Sequence, residues 1–438
     1  MLKDREIKKV TSQTLSESIS HSKDSRQIIT RKIRCRLCSS LDLKDVLNLS
    51  STPLANDFVD STRLDEEQPV FPLELSYCNN CYHTQLKDVV DPKLLYENYI
   101  YVSGTSKTFV RHFEEYANYA IQEFDLDNEA FIVDIGSNDG TLLKSFQKHG
   151  LTVLGVDPAK NISEDANKNG IPTLNRFFDN EVSNQIQFQY GKADLVVANN
   201  VFAHIDDLDA TTIAIENLLT KEGVFIFEVS YLKDVVSKNL FDTIYHEHLS
   251  YHSLTPLISF FRKFGMEVID AINVPAHGGS IRVSVKKKNG THEIRKSVNT
   301  MIANEQSSGI KHSRFVESLG SKISDVKSNL SNILNKADKK GLTISGYGAP
   351  AKATTLLYEL DLHHHISYIV DDSPLKQGTY TPGAHIPVVG SNVMKMDPTD
   401  YMVILAWNFA EPIMANNKMY RENGGSFIVP LPDLLVYS

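Results

Sequence analysis

The chain has 438 residues, 41% of them hydrophobic and 23% charged, the composition of a globular protein too long for a single core, so two or three domains are expected. Its 45 basic and 54 acidic residues give a formal net charge of −9 with no basic stripe, which argues against a nucleic-acid partner. There is no run of about 18 apolar residues and no apolar signal core in the polar N-terminus, so no membrane partner and a cytoplasmic location are expected.

Residues 1–31 read as a polar, mobile arm to which no function is assigned. Residues 32–90 hold all four cysteines, Cys35, Cys38, Cys78 and Cys81, as two C-x-x-C pairs 39 residues apart. In a cytosolic chain this pattern points to metal rather than disulfides. Zinc takes thiolates tetrahedrally, and four protein ligands leave no open position for catalysis, so one structural Zn²⁺ is expected. Residues 91–125 carry interleaved aromatics and read as helical.

From residue 131 strands and helices alternate. FIVDIG, LTVLGVDP, ADLVVANNVF and GVFIFEV are strands, and GTLLKSFQKHG and DATTIAIENLLT are helices. Apolar β-branched strands between helices predict a parallel sheet covered on both faces. MEVIDAINV and SIRVSVKKK would close it as an antiparallel pair. Residues 91–292 therefore form one expected unit and 293–338 a helical connector. Residues 339–438 form a second α/β unit, with strands in GLTISGYG, HISYIVDD, YMVILAW and SFIVPL.

Four further motifs carry chemistry. In VDIGSNDGTLL, Asp134 ends a strand, and Gly136 and Gly140 turn the chain, through Asn138, into a helix N-terminus whose N–H groups suit a carboxylate or phosphate. About 20 residues on, GVDP sets Asp157 at the next strand end, where a carboxylate can accept both ribose hydroxyls. Asn199 and Asn200 in VVANNVFAHI end the fourth strand. A dinucleotide G-x-G-x-x-G would need glycine at Asn138, so S-adenosylmethionine is favoured over a nicotinamide cofactor.

TIYHEHLSYHS, residues 243–253, packs three histidines, two tyrosines and a glutamate into eleven positions. A metalloprotease H-E-x-x-H would need histidine where Ser250 stands, so acid–base work, or a polar loop of hydrogen-bonded histidines, fits instead. PAHGGSIRV offers His277, Ser280 and Arg282 before a strand, either beside a ligand or as a plain hairpin turn. In SGYGAPAKA, Gly346, Gly348 and Ala351 match G-x-G-x-x-A, Asp371 or Asp372 follows about 20 residues later, and Lys352 sits in the first helical turn. Pyrophosphate, NAD and an inherited fold without a ligand all remain open at this motif.

CRLC, CNNCYHTQL, VDIGSNDGTLL, YHEHLSYHS, HGGSIRV and GYGAPAKATTLL follow one another over residues 33–438. In this order they resemble the deoxysugar C-methyltransferases of antibiotic and surface-polysaccharide pathways, above all those acting at C-3 of thymidine-diphosphate-linked 4-keto-6-deoxysugars. The resemblance implies an α/β protein in three parts. These are a small zinc-binding N-terminal domain, a class I methyltransferase Rossmann-like central domain binding S-adenosylmethionine, and a second Rossmann-like C-terminal domain for the sugar nucleotide. It implies a catalytic set of Tyr245, Glu247 and His248, with His204 after the fourth strand and the Tyr99 hydroxyl from the N-terminal side. It also places the pyrophosphate at Lys352 and the backbone of Ala349 to Ala351.

A ketone makes the neighbouring C–H acidic, so the chemistry needs a base, for which His248 is the expected group, a donor to the enolate oxygen, and close positioning of two substrates. A monomer is expected. Three competing functions are a sugar O-methyltransferase, a nicotinamide-dependent oxidoreductase using GYGAPA, and a catalytically silent zinc-linked binding protein.

Overall fold

The structure is a computed structural model that describes residues 28–97, 99, 102–105 and 107–438. Most of the expected arm lies outside the described residues. Its last three, Ile29–Arg31, form a strand paired antiparallel with Asp88–Val90. The cysteines flank a four-stranded antiparallel sheet in the order Ser250–Tyr251, Thr84–Leu86, Phe71–Cys78, Leu43–Thr52. One of its edges is therefore supplied by the histidine-rich segment, about 170 residues downstream of the cysteines.

The expected alternation forms a seven-stranded sheet, ordered Met266–Val274, Ser280–Lys287, Leu219–Ser230, Ala193–Asn199, Phe131–Ile135, Thr152–Val156, Thr173–Leu174. Only Ser280–Lys287 runs antiparallel to its neighbours, as the terminal hairpin requires. Phe131–Ile135 is buried at every position, since helices cover both faces. The chain winds outward from this strand to one side and then returns to the other, so a crevice opens at its carboxyl end.

The third sheet has the order Val388–Val389, Ile369–Val370, Ile344–Tyr347, Tyr401–Ile404, Ser426–Val429, Leu435–Tyr437, with only the last strand antiparallel. It has its own switch point at Ile344–Tyr347. The expected connector consists of helices Lys296–Ser308 and Ser313–Lys339. Val316, Leu319, Ile323, Val326, Leu330 and Leu334 stripe one face of the second helix at spacings of three and four, and this face enters a core shared with the first and third sheets.

The helical reading of 91–125 is interrupted. Pro92–Tyr96 and Lys107–Glu123 are helices, and Ser103–Thr105 is a tight turn. Side chains of the SND loop capture that turn, because Ser103 N donates to Asn138 Oδ1 at 2.9 Å and Gly104 N to Asp139 Oδ2 at 2.9 Å. Among the described residues no helix is long and apolar enough to cross a membrane.

Candidate active site

The four cysteines converge, with their Sγ atoms all within 4.8 Å of one another. Cys35 and Cys81 are 3.4 Å apart, and Cys38 and Cys78 3.5 Å. A tetrahedral S₄ site with Zn–S of about 2.3 Å needs sulfurs about 3.8 Å apart, so this donor set fits Zn²⁺. Two matching turns build it: Ser39 N donates to Cys35 O and Tyr82 N to Cys78 O, each at 2.8 Å, with Ser39 and Tyr82 at positive φ. The Asn80 side chain donates to Cys38 Sγ at 3.4 Å.

A cavity of about 550 Å³ lies where the carboxyl ends of the two parallel sheets meet. Gly136, Asn138, Asp157, Asn199 and Asn200 of the methyl-donor motifs line it together with Tyr99, His204, Tyr245 and His248 and with His277, Ala351 and Lys352. Both motif turns depend on glycine. Gly136 has φ +68° and a Cβ there would meet Val201 at 2.3 Å, while Gly348 has φ +88° and a Cβ would meet Ala406 at 2.4 Å. The Asp157 carboxylate is oriented by two backbone donors, Asn138 N at 2.9 Å and Ala159 N at 2.9 Å, and keeps lone pairs for a ligand.

On the cavity wall His248 Nδ1 lies 2.8 Å from the Thr243 carbonyl and Nε2 lies 3.0 Å from the Tyr245 hydroxyl. The His204 ring is 5.1 Å from that of His248 and stacks on Tyr96 at 5.8 Å, and its buried Nε2 has no partner among the described residues. Burial pushes His204 down to about 4 and His248 well below the ordinary imidazole value, so both rings are neutral at pH 7. Glu247 moves the other way. Burial pushes its carboxyl up to about 7, against the lowering effect of hydrogen bonds from Tyr99 OH at 2.9 Å and Asn56 Nδ2 at 2.7 Å. His248 is the expected base, yet the group held near neutrality is Glu247.

Lys352 Nζ, also on the wall, donates to His277 O at 3.3 Å, beside the Trp407 indole, whose Nε1 donates to the buried Asp242 at 2.6 Å. Burial lowers the Lys352 pKa, and Asp242 opposes the shift. Lys376 Nζ, also on the cavity wall, donates to Ala349 O at 2.7 Å. Two half-buried ammonium groups on one wall of an acidic protein suit an anionic ligand. Asp371 accepts from Ala349 N at 2.7 Å and Asp372 from the Tyr347 hydroxyl, so both fingerprint acids are held within the turn.

Several expected residues do not line the cavity. Asp134 is buried beneath it, pushed well above the carboxylate range by burial and then by the Asp157 charge. Gly140 caps the following helix. Glu247 reaches the cavity through Asn56 and Tyr99, and Ala349 contributes backbone to the turn instead. Ser280 Oγ donates to Ala276 O at 3.0 Å. Arg282 is turned away by its cross-strand partner, since Nε and Nη2 both donate to Glu228 Oε2 at 3.0 and 2.9 Å, and its guanidinium lies 4.1 Å from the Tyr116 ring. A buried arginine needs that carboxylate more than the cavity needs the arginine. Asn56, Tyr96, Phe109, Lys376 and Asn408 line the cavity without any motif to announce them.

Three family models match successive parts of the chain. Residues 35–96 match a zinc binding domain, 109–271 a methyltransferase domain, and 275–432 a C-methyltransferase C-terminal domain. The chain is 36% identical to the C-methyltransferase NovU of Streptomyces niveus over 414 residues, 94% of this chain and 99% of that one. Among solved structures, an S-adenosylmethionine-dependent methyltransferase from Clostridium acetobutylicum matches 42% of this chain and 92% of its own, at 17% identity and a TM-score of 0.34. Magnesium protoporphyrin IX methyltransferase from Synechocystis matches 41% of this chain and 81% of its own, at 13% identity and a TM-score of 0.31. The extent of the match to NovU, together with the three family matches, decides for carbon methylation: the chain belongs to the C-methyltransferase family, uses S-adenosylmethionine, and carries a zinc-binding domain at its N-terminal end.

Proposed function

We propose that the chain methylates a carbon beside the ketone of a nucleotide-linked 4-keto-deoxysugar in the cytoplasm, with thymidine diphosphate as carrier and C-3 as the position. We divide the chain into an arm (1–31), a zinc unit (32–90), a methyl-donor unit (91–292), a helical connector (293–338) and a sugar-nucleotide unit (339–438). The carrying observation is that one cavity is lined by the glycine turn of the methyl-donor motif, by imidazole and phenol groups, and by two lysines.

When bound, S-adenosylmethionine supplies an electrophilic methyl group on sulfur. In this reading Asp157 receives its ribose hydroxyls, and Gly136 and Asn138 admit its methionine end. Lys352 and Lys376 hold the diphosphate. Burial above all, and the neighbouring cation of Lys352 to a lesser degree, lower the His248 pKa, and a diphosphate on Lys352 would offset only the second of these. The unprotonated Nε2 of His248, released from the Tyr245 hydroxyl it faces, takes the proton from the sugar carbon, and the electrons of the C–H bond pass onto the ketone oxygen. Tyr245 and His204 stand ready to donate to that oxygen.

A second reading has a specific observation behind it. Glu247, with its carboxyl near 7 and its hydrogen bond from Tyr99, is the base, acting through that hydroxyl. The test is incubation with labelled methyl donor and a panel of nucleotide-linked 4-keto-6-deoxysugars, with mass and NMR of the product fixing acceptor and carbon. Transfer only to sugars lacking a ketone would overturn the proposal.

A further inference from the structure

The zinc knuckle reaches the cavity wall through the Arg36 side chain, which shares its carboxylate partner, Asp206, with the half-exposed Lys32, whose Nζ lies 2.6 Å from Asp206 Oδ2. Arg36 stands between Cys35 and Cys38, and its side chain is 1% exposed. Its backbone is locked, because Arg36 N donates to Gln85 Oε1 at 2.8 Å and Gln85 Nε2 donates to Arg34 O at 3.0 Å. From that position Nη1 donates to Leu86 O at 2.6 Å and Nε to Asp206 Oδ1 at 3.1 Å. Asp206 lines the cavity in the segment 204–207 with His204, and the next residue, Asp207, caps the helix Leu208–Leu218. The same segment is held from its other side, where Leu249 N and Ser250 N both donate to Ala203 O and Leu86 N donates to Leu249 O. Leu86 is thus shared by both anchors.

We propose that Arg36 is a positioning residue, through which the zinc knuckle sets the place of Asp206 and His204 in the cavity wall. Zinc binding then shapes the active site as well as stabilising the N-terminal sheet. The four thiolates fix the turn from which Arg36 projects, and loss of its buried guanidinium would leave Asp206 with only the half-exposed Lys32 to hold it. The inference rests on the cavity being the reaction site but not on the identity of the sugar.

The test uses the full chain with zinc bound. In R36M we expect about one zinc per chain by metal analysis, and amide exchange over residues 202–208 faster by about tenfold, with residues 131–156 unchanged. Turnover should fall by roughly ten- to a hundredfold, with the KM for methyl donor little altered. R36K should recover part of the protection, and the R36M/D206N double variant should be no worse than R36M alone. R34M, which removes an exposed guanidinium bonded only within the knuckle, to Ser39 O at 3.1 Å, should match the wild type in exchange at 202–208. Wild-type exchange at 202–208 in folded R36M, or multiplying losses in the double variant, would overturn the proposal. Should R36M lose its metal or fail to fold, D206N decides: faster exchange at 202–208 supports the link and unchanged exchange refutes it. Exchange needs no sugar substrate, so a wrong acceptor assignment leaves this result readable.

Discussion

The Tyr245 hydroxyl lies 3.0 Å from His248 Nε2, while His248 Nδ1 faces the Thr243 carbonyl at 2.8 Å. A carbonyl oxygen only accepts, so the ring hydrogen is assigned to Nδ1 and the Nε2 lone pair faces Tyr245 and the cavity. His248→Asn should therefore lower turnover by about 10²–10⁴-fold with binding of both ligands nearly intact. His246, whose ring packs edge-on against Phe71 at 5.6 Å, is the control, and a folded His246→Asn variant should be far milder. In deuterated water without methyl donor, NMR should show wild-type exchange of the proton beside the ketone and its loss in His248→Asn. Exchange that survives there but disappears in His204→Asn or Tyr99→Phe would transfer the role of base.

Glu247 makes stability depend on pH in a defined direction. Its folded pKa of about 7 lies above the ordinary 4.5, so between these values the folded state holds a proton that the unfolded state has released. Stability is then fully present below pH 4.5 and falls as pH rises toward 7, by roughly 3 kcal/mol at the limit. Glu247→Gln removes this term. Denaturant titrations should show the variant gaining on the wild type from pH 4.5 to 7 and holding a constant lead above. A pH-independent difference would contradict the burial argument.

Asp157→Ala removes the acceptor assigned to the ribose hydroxyls. Affinity for S-adenosylmethionine should fall by about tenfold to a thousandfold in calorimetry, in line with charged hydrogen bonds. Unchanged affinity in a folded variant would refute the placement.

Metal analysis should find one zinc per chain. Chelation should lower the thermal midpoint and release four titratable thiols, because a closed S₄ site contributes folding energy. Well under one equivalent of metal with four free thiols in the purified protein would refute the site.

Lys376→Met should raise the KM for a diphosphate-linked sugar by about 10–100-fold, the value of one charged hydrogen bond, and leave methyl-donor affinity unchanged. Trp407 is the only tryptophan, and Lys352 Nζ lies 5.8 Å from its ring, so nucleoside diphosphate should change the intrinsic fluorescence of the wild type. An equal response from nucleoside and nucleoside diphosphate would place the phosphates elsewhere.

The features legible in the sequence were those with a short-range physical cause. Paired C-x-x-C turns, the Gly136 and Gly348 turns, acids at strand ends and apolar strands alternating with helices each follow from steric or hydrogen-bonding demands within a few residues. From these came the fold class, the cysteine cluster and the glycine and acid positions of the methyl-donor motif, while the resemblance supplied Tyr99, His204 and Tyr245, which line the cavity with them. Tertiary structure decided what depends on distant partners. Glu228, in the neighbouring strand, turns Arg282 from the cavity, and the SND loop breaks the expected long helix at Ser103–Thr105. Asn56, Tyr96 and Lys376 reach the cavity from segments without local pattern. Burial exchanged the expected proton affinities, lowering His248 and raising Glu247, because desolvation penalises whichever form is charged and the sequence does not state which side chains lose their water.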